Sequence, residues 1–189
     1  MNQIPLSWFA RPAAEAAADL IGCRLLVDGI GGLIVEAEAY DRSDPASHSF
    51  SGPTRRNASM FGPPGHAYVY RSYGLHWCMN IVCEVGSAVL VRALAPTAGL
   101  DVMAARRRTT APRLLCAGPG RVCQALAITG AHDGRPLDRA PFRLLARDEP
   151  VAVVSGPRIG ITRGAETPWR FLLAGSRFAS RPLPRTKPS

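Results

Sequence analysis

Apolar and polar residues alternate most clearly at residues 33–40, in the stretch Leu-Ile-Val-Glu-Ala-Glu-Ala-Tyr. A β-strand with this pattern has Glu36, Glu38 and Tyr40 on one face, and on the other Leu33, Val35, Ala37 and Ala39. Two carboxylates in an apolar run are costly to bury unless they are paired or used in chemistry. One interpretation is a general base beside an aromatic platform, and the other is an edge strand with a solvated acidic face.

The remaining pattern predicts a series of short elements. A helix begins after Pro12 and ends near Gly22, and strands at 23–29 and 33–40 form a hairpin around Gly29, Gly31 and Gly32. Residues 41–66 are rich in Ser, Gly, Pro, Arg and Asn and predict one long loop, which at that length is functional or disordered. The elements predicted downstream are strands at 67–71, 75–83 and 88–94, a helix at 99–108, a flexible connector at 109–117, a helix at 121–127 opened by Gly118-Pro119-Gly120, and short strands within 142–174.

Composition narrows the class of protein. The chain has 189 residues, 47% of them hydrophobic and 20% charged, which fits one globular domain. Apolar runs such as 88–91 are too short to span a bilayer, and the N-terminus lacks the pattern of a secretory signal. Five cysteines form no CxxC pair, and four histidines show no zinc spacing. We therefore expect a cytoplasmic protein with reduced, mostly buried thiols, no metal and no cofactor.

The charge balance points to a polyanionic partner. The chain carries 23 basic and 14 acidic residues, a net charge of +9, which fits a nucleic acid. A GC-rich genome that encodes arginine freely is the alternative explanation, because 22 of the basic residues are arginine. The single lysine, Lys187, lies in a basic tail at 181–189 that we expect to be disordered. Chemistry that needs a lysine Schiff base therefore has no lysine to use in the predicted domain at 1–180.

A second group of residues combines aromatic, basic and amide side chains. It comprises His48, Arg55-Arg56-Asn57, Met60-Phe61-Gly62-Pro63-Pro64-Gly65, Tyr68-Val69-Tyr70, Tyr73-Gly74, Asn80 and Arg92. Rings interleaved with arginines suit a nucleic-acid surface, where rings stack on bases and guanidinium groups hold phosphates. Tyrosines are also ordinary strand formers with half-buried rings, which is the alternative for Tyr68 in particular.

Ordered blocks of sequence carry a resemblance to a known family. The blocks are Val-Glu-Ala-Glu-Ala-Tyr at 35–40, Ala-Ser-His-Ser at 46–49, Arg-Asn at 56–57, Met-Phe-Gly at 60–62, Pro-Gly at 64–65, Tyr-Val-Tyr at 68–70, Tyr-Gly at 73–74, Cys-Met-Asn at 78–80, Val-Arg-Ala-Leu at 91–94, Gly-Pro-Gly-Arg at 118–121, Ala-Leu at 125–126 and Arg-Ile-Gly-Ile at 158–161. Together they resemble the alkyladenine (3-methyladenine) DNA glycosylases, the vertebrate-type methylpurine family that is also common in bacteria. The resemblance runs from about residue 6 to about residue 180.

The resemblance implies a fold and an activity. The implied fold is a single mixed α/β (α+β) domain with a curved, mostly antiparallel β-sheet and peripheral helices. The implied activity is that of a monofunctional DNA glycosylase that flips alkylated or deaminated purines, of the 3-methyladenine, 7-methylguanine and hypoxanthine class, out of damaged double-stranded DNA. A Glu-activated water would then hydrolyse the N-glycosidic bond and start base excision repair. We expect such an enzyme to be a monomer associated with the bacterial nucleoid.

The resemblance also implies a role for each site residue. Glu38 is the general base that activates water, and Arg92 is a catalytic contact that holds the flipped nucleotide and the attacking water. Tyr73 is the wedge that intercalates into the duplex. The base pocket is formed by Tyr40, His48, Tyr70 and Asn80. Asn80 is the residue that clashes with the exocyclic amine of guanine. Leu75 and His76 depart from the eukaryotic pattern of the family, which affects the expected lesion range.

Four other functions fit parts of the sequence. A glycosylase with lyase activity needs an amine nucleophile, for which the predicted domain offers only the N-terminal amine. A non-catalytic nucleic-acid-binding module accounts for the charge and the aromatic residues but not for Glu38 in an apolar strand. A nucleotide hydrolase needs a metal or a phosphate loop, and Gly118-Pro119-Gly120 lacks the lysine and hydroxyl of a P-loop. A helix-hairpin-helix glycosylase needs a paired motif and a later catalytic aspartate, which we do not find in the sequence.

Overall fold

Residues 2–183 are described by the computed structural model, and β-strands dominate this range. The strands are β1 (Arg24–Val27), β2 (Ile30–Tyr40), β3 (Ala67–Ser72), β4 (His76–Val82), β5 (Ala88–Ala98), β6 (Phe142–Leu145), β7 (Val153–Gly156) and β8 (Arg170–Leu173). The helices are α1 (Ala13–Leu20), α2 (Leu100–Arg107), α3 (Pro112–Leu115) and α4 (Pro119–Leu126), with short 3-10 helices at Leu6–Phe9, Ala58–Phe61 and Gly130–His132. The tail predicted at 181–189 lies outside the described residues from residue 184 onward.

Strand β2 is the centre of the sheet. The strand order is β3-β4-β5-β2-β1-β6, and β8 pairs with β2 further along, with β7 on its outer side. All of these pairs are antiparallel. Helices α1 and α4 pack against the curled sheet and contribute apolar side chains to the core. The predicted fold class, mixed α/β with a curved, mostly antiparallel sheet and peripheral helices, is confirmed.

The edge-strand interpretation of residues 33–40 is wrong. Around Glu36 and Glu38, β2 is flanked by β5 on one side and β8 on the other. Neither glutamate has any exposed surface. The acidic pair therefore lies in the interior, where each carboxylate needs partners.

Two irregularities in the β2–β5 pairing change the alternation that the sequence predicts. Ile34 pairs with Leu94, Glu36 with Ala93, and Ala37 with Val91. Val35 is thus an extra residue on β2, and Arg92 is an extra residue on β5. The main core cluster contains Ile34, Ala37 and Ala39, whereas Val35 is buried outside this cluster, which corrects the face predicted to include Val35. The second bulge lies at Arg92, a predicted catalytic residue.

The β1–β2 hairpin is tighter than predicted. Its turn is Asp28-Gly29, both at positive φ, so β2 already begins at Ile30. Gly31 and Gly32 therefore lie inside the strand rather than in the turn. A Cβ at Gly31 would stand 2.0 Å from the carbonyl oxygen of Leu25, which explains the glycine by close backbone approach.

The connector predicted as flexible at 109–117 is partly structured. It contains α3, and Leu115 and Cys116 are buried in the core. The Cys116 carbonyl accepts a hydrogen bond from the Leu94 amide at 3.2 Å, which ties the segment to β5. Burial of the apolar residues near the C-terminal end of the segment orders it, although its first residues, Thr-Thr-Ala-Pro, are typical of a flexible loop. All five cysteines of the chain are buried, as predicted.

Candidate active site

A cavity of about 520 Å³ opens beside β2, β5, β4 and β3, and this volume is within the range of small-ligand sites. Six of the seven residues predicted for the site line it, namely Tyr40, His48, Tyr70, Tyr73, Asn80 and Arg92. The seventh, Glu38, does not line the cavity but lies directly behind its wall. The residues converge because the four strands are neighbours in the sheet, although they are distant in sequence.

A row of register partners forms one side of the cavity. Glu38 pairs with Leu90 on β5, Leu90 with Asn80 on β4, and Asn80 with Tyr68 on β3. Directly paired residues point to the same face of a sheet. Leu90, Asn80 and Tyr68 line the cavity, so Glu38 stands at the end of this row on the same face.

The Glu38 carboxylate is held by three donors. Its Oε2 accepts hydrogen bonds from the Tyr40 hydroxyl at 2.9 Å and from Nη1 of Arg92 at 3.1 Å. Its Oε1 accepts one from the Ile159 backbone amide at 2.7 Å. A carboxylate offers about four acceptor positions. One position on Oε1 therefore has no partner among residues 2–183, and all three donor residues line the cavity.

Glu36 has a different set of partners. Its Oε1 accepts hydrogen bonds from Nε of Arg92 at 3.0 Å, Nε of Arg170 at 2.9 Å and the Ser180 hydroxyl at 2.8 Å. Its Oε2 accepts one from the Ser180 amide. None of these contacts except Arg92 reaches the cavity. The adjacent carboxylates thus divide into one beside the cavity and one that fastens β2 to β8 and the C-terminal segment.

Arg92 bridges the two carboxylates from its position at the β5 bulge. Burial acts to lower the pKa of Arg92, but the negative charges of Glu38 and Glu36 raise it by more, so the guanidinium stays charged. Only 7% of the residue is exposed. The ion pairs are therefore shielded from water and hold the guanidinium in one orientation at the cavity wall.

The aromatic residues around the cavity are uncharged at neutral pH. Burial, followed by the Glu38 charge, raises the pKa of Tyr40, and burial also raises the pKa of Tyr68 and Tyr70. The rings of Tyr68 and Tyr70 stack with centroids 5.4 Å apart, and the His48 ring meets Tyr70 edge-on at 4.5 Å. Neutral, closely spaced rings of this kind suit a flat heterocycle.

His48 stands where the long loop meets this aromatic cluster. Its Nδ1 lies 2.9 Å from the Tyr68 hydroxyl, and its backbone carbonyl accepts a hydrogen bond from Nδ2 of Asn57 at 2.7 Å. The residue as a whole is exposed, but the enclosed side of its ring is desolvated. This desolvation, and next the nearby Arg56, lowers the pKa of His48. The ring is therefore neutral at physiological pH.

Tyr73 forms the tip of the β3–β4 hairpin. Tyr73 and Gly74 have φ values of +50° and +71°, and the Leu75 amide donates to the Ser72 carbonyl at 3.0 Å, which together define a tight turn. The tyrosine is 90% exposed and Leu75 is 72% exposed. Two large apolar side chains on one tip contribute little to the core, and they leave an apolar surface open to another molecule.

Asn80 lies at the cavity wall and also bonds to the backbone of the neighbouring strand. It lines the cavity, and its Nδ2 donates to the carbonyl of Tyr68, its partner across the β3–β4 pair, at 3.0 Å. The residue is 4% exposed. The hydrogen bond fixes the orientation of the amide, so the side chain presents a fixed polar surface to whatever occupies the cavity.

The methylpurine-DNA glycosylase family model matches residues 7–177 of the chain. The chain belongs to this family. It is 59% identical over 178 residues to a protein of Nitrosospira multiformis, with 93% of this chain and 92% of the relative covered. It is 60% identical over 183 residues to one of Granulibacter bethesdensis, with 94% and 87% covered. A protein of Rhodopseudomonas palustris is 59% identical over 181 residues, with 94% and 88% covered. All three relatives are provisionally named 3-methyladenine DNA glycosylase.

Membership in the methylpurine-DNA glycosylase family confirms the predicted resemblance and the predicted enzyme class, a DNA glycosylase that repairs alkylated bases. DNA is accordingly the substrate, and the alternative of a non-catalytic module is set aside. Within residues 2–183, no helix has the length and hydropathy needed to cross a bilayer. The same residues contain no cluster of three or more His, Cys, Asp or Glu that could hold a metal ion.

Sequence reasoning assigned no role to one segment of the cavity lining, residues 159–161. Ile159, Gly160 and Ile161 line the cavity, and the Ile159 amide holds Glu38. The sequence indicated this segment only as a matching block, Arg-Ile-Gly-Ile, without a role. A backbone amide leaves no trace in side-chain chemistry. The one feature of the sequence that could have drawn attention to this segment was Arg158, a charged residue between a proline and an apolar residue.

Proposed function

We propose that this protein is a monofunctional DNA glycosylase that extrudes an alkylated or deaminated purine and hydrolyses its N-glycosidic bond with a water activated by Glu38. The observation that carries the proposal is the buried Glu38 carboxylate, held by three residues of the wall of an aromatic cavity large enough for one purine. The names of the relatives agree with this substrate class. The site is complete within one chain, so we also propose that the enzyme acts as a monomer, at the nucleoid.

The cavity suits the chemistry of damaged purines. Purines alkylated at N3 or N7 carry a positive charge, and a neutral aromatic ring attracts a cation by about 0.5–2 kcal/mol. Tyr40, His48 and Tyr70 supply such rings, and neither His48 nor the tyrosines carry a charge that would repel the base. Hypoxanthine is neutral and leaves less readily, so it depends more on the positioning of the water and of the sugar.

The position of Glu38 favours water over direct attack by the carboxylate. Glu38 has no exposed surface and does not line the cavity, which disfavours direct attack of the carboxylate on a sugar carbon. The nucleophile we propose is a water that enters beside the open position on Oε1 when the wall moves on substrate binding. In the reaction this water forms a bond to C1′ and gives its proton to Glu38. The electron pair of the C1′–N bond leaves with the purine, and Arg92 holds Glu38 in place through Nη1.

The proposal is tested with duplexes that each carry one defined base, hypoxanthine, 7-methylguanine or undamaged adenine. After incubation with enzyme, alkali cleaves the strand at abasic sites and reports base loss. We expect cleavage at both lesions, and no covalent complex after borohydride treatment, because a water mechanism forms no Schiff base. Absence of cleavage at both lesions contradicts the proposed function. A trapped complex contradicts the water mechanism and points to the N-terminal amine.

The wedge role of Tyr73 predicts a lesion-dependent loss in Tyr73→Ala. Stacking of an aromatic side chain on bases is worth about 1–3 kcal/mol, so excision of a well-paired hypoxanthine should fall by about tenfold or more. A lesion in a mismatch costs less to extrude and should lose less. The side chain is 90% exposed, so the melting temperature should not change. Tyr73→Phe is the control, since it keeps the ring. Equal losses for all lesions, or none, would make Tyr73 a turn residue only.

The gatekeeper role of Asn80 predicts a change in base preference in Asn80→Ser. Guanine differs from hypoxanthine by its exocyclic amine, and rejection by a clash is relieved when the side chain is trimmed. Excision of 7-methylguanine relative to hypoxanthine should rise by about tenfold. Serine keeps a hydroxyl that can still bond the Tyr68 carbonyl, which limits the loss of stability. If all excision rates and the melting temperature fall together, the role of Asn80 is limited to its hydrogen bond to the Tyr68 carbonyl.

A further inference from the structure

Arg158 is the most completely buried cation next to the cavity. Its side chain has no exposed surface, and it does not line the cavity. Nη1 donates to the carbonyl of Ala39 at 3.0 Å and to Oδ2 of Asp44, while Nη2 donates to Oδ1 of Asp44 at 3.1 Å and to the carbonyl of Gly164 at 3.0 Å. A planar guanidinium in a bidentate ion pair has one orientation.

These contacts join three parts of the chain that build the cavity. Ala39 belongs to β2, between Glu38 and Tyr40. Asp44 lies near the start of the long loop that carries His48, and its own carboxylate accepts a hydrogen bond from the Ala46 amide at 3.0 Å. Gly164 lies in the segment after β7, where Ile159 donates its amide to Glu38. Arg158 thus hydrogen-bonds to all three parts.

Arg158 also packs against a cavity wall. Its guanidinium carbon stands 4.8 Å from the centre of the Tyr40 ring. Tyr40 lines the cavity and Arg158 does not, so the guanidinium contacts the ring from outside the cavity. The Tyr40 hydroxyl donates to Glu38 at 2.9 Å, so a change in the ring position also moves a donor of that carboxylate.

We propose that Arg158, paired with Asp44, is a positioning residue for excision: it fixes the Tyr40 ring and the Ile159 amide, and through these two donors it fixes the Glu38 carboxylate. The proposal rests on the proposed function of Glu38 and adds a residue that touches neither base nor water. Buried ion pairs are poor sources of stability but hold a defined geometry. A misplacement of about 1 Å in a catalytic group can cost about 100-fold in rate.

The test compares Arg158→Met, Arg158→Lys and Asp44→Asn with the parent protein. Enzyme is kept in excess over duplexes carrying hypoxanthine or 7-methylguanine, so that the rate reports a single turnover. We expect Arg158→Met to lower hypoxanthine excision by about 10–100-fold and 7-methylguanine excision less, because the charged base leaves with less help. Affinity for a duplex with an abasic-site analogue should stay within about threefold, since Arg158 itself does not line the cavity.

Two further variants separate positioning from loss of folding. Lysine keeps the charge but cannot reach Ala39, Asp44 and Gly164 together, so Arg158→Lys should fall between the parent and Arg158→Met. Arg147→Met is the matched control, because Arg147 donates to the carbonyls of Asp19 and Ile21 and pairs with Asp19, none of which lines the cavity. It should lower the melting temperature and leave excision within about twofold of the parent.

A second measurement does not depend on activity. The Ile159 amide proton, bonded to a carboxylate, should resonate downfield in the parent and move upfield in Arg158→Met and Asp44→Asn, but not in Arg147→Met. Parent-like excision by folded Arg158→Met, or an unmoved Ile159 resonance, overturns the proposal. If Arg158→Met does not fold, Asp44→Asn and Arg158→Lys decide by the same criteria. If the parent itself fails to excise, the proposed function falls, and the Ile159 resonance still decides whether Arg158 positions this amide.

Discussion

Replacement of Glu38 by glutamine is expected to slow single-turnover base excision by about 10²–10⁴-fold, the range that a general base contributes. An amide does not accept the proton of water at neutral pH, so the step that forms the bond to C1′ loses its base. Affinity for the lesion duplex should stay close to that of the parent, because Glu38 is behind the cavity wall and Tyr40, His48 and Tyr70 remain. Single-turnover rates and binding titrations measure the two effects separately.

Glu36→Gln is the matched control for this change. It removes the same charge from the same strand, and it also weakens the hydrogen bond that Arg92 donates to Glu36. In each variant the amide NH₂ of glutamine would face groups that are themselves hydrogen-bond donors. Both variants should therefore lose about 1–3 kcal/mol of stability. Glu36 does not reach the cavity, so its variant should keep most of the excision rate. Near-normal excision by Glu38→Gln would remove Glu38 from the mechanism, and an equal loss in Glu36→Gln would mean that the carboxylates act as one unit.

Residues with distinctive side-chain chemistry stand out in a sequence, and six of the seven that the sequence singled out line the cavity. Alternation in β2 indicated that Glu38 and Tyr40 share a face, and antiparallel pairing with β5 brings Arg92 to both carboxylates. The interaction between Arg92 and Glu36 could not be predicted from period-two alternation. It depends on the two bulges, which insert Val35 on one strand and Arg92 on the other and are set by tertiary packing.

Other parts of the site lie in features that carry no residue signature. The partners of Glu36 at Arg170 and Ser180 come from the far end of the chain, and only the folded structure shows their proximity. Glu38 also depends on the Ile159 amide, and backbone donors are identical for all residues except proline. The short helix α3 and the buried Leu115 were missed for another reason. Local Thr and Pro signals were given more weight than two leucines.

Removal of Arg92 has the largest expected effect on stability. In Arg92→Met the carboxylates of Glu36 and Glu38 stay buried while their shared cation is lost, and breaking a buried ion pair in this way costs about 3–5 kcal/mol. For a chain of this length the melting temperature should fall by roughly 10 °C. Excision should also be lost, because Nη1 of Arg92 is one of three donors that hold Glu38. Thermal unfolding and single-turnover excision below the melting transition measure the two losses.

Arg170→Met separates the two losses. Arg170 is equally buried and bonds Glu36 at 2.9 Å, but it does not contact Glu38 or line the cavity. Its loss leaves Arg92 on both carboxylates, so the protein should be destabilised while excision at a temperature well below melting stays within about fivefold of the parent. Suppose that Arg170→Met loses excision as completely as Arg92→Met. Then activity depends on a cation beside Glu36, and not on the contact between Arg92 and Glu38. If Arg92→Met excises normally once folded, the guanidinium has no part in holding Glu38 or the water.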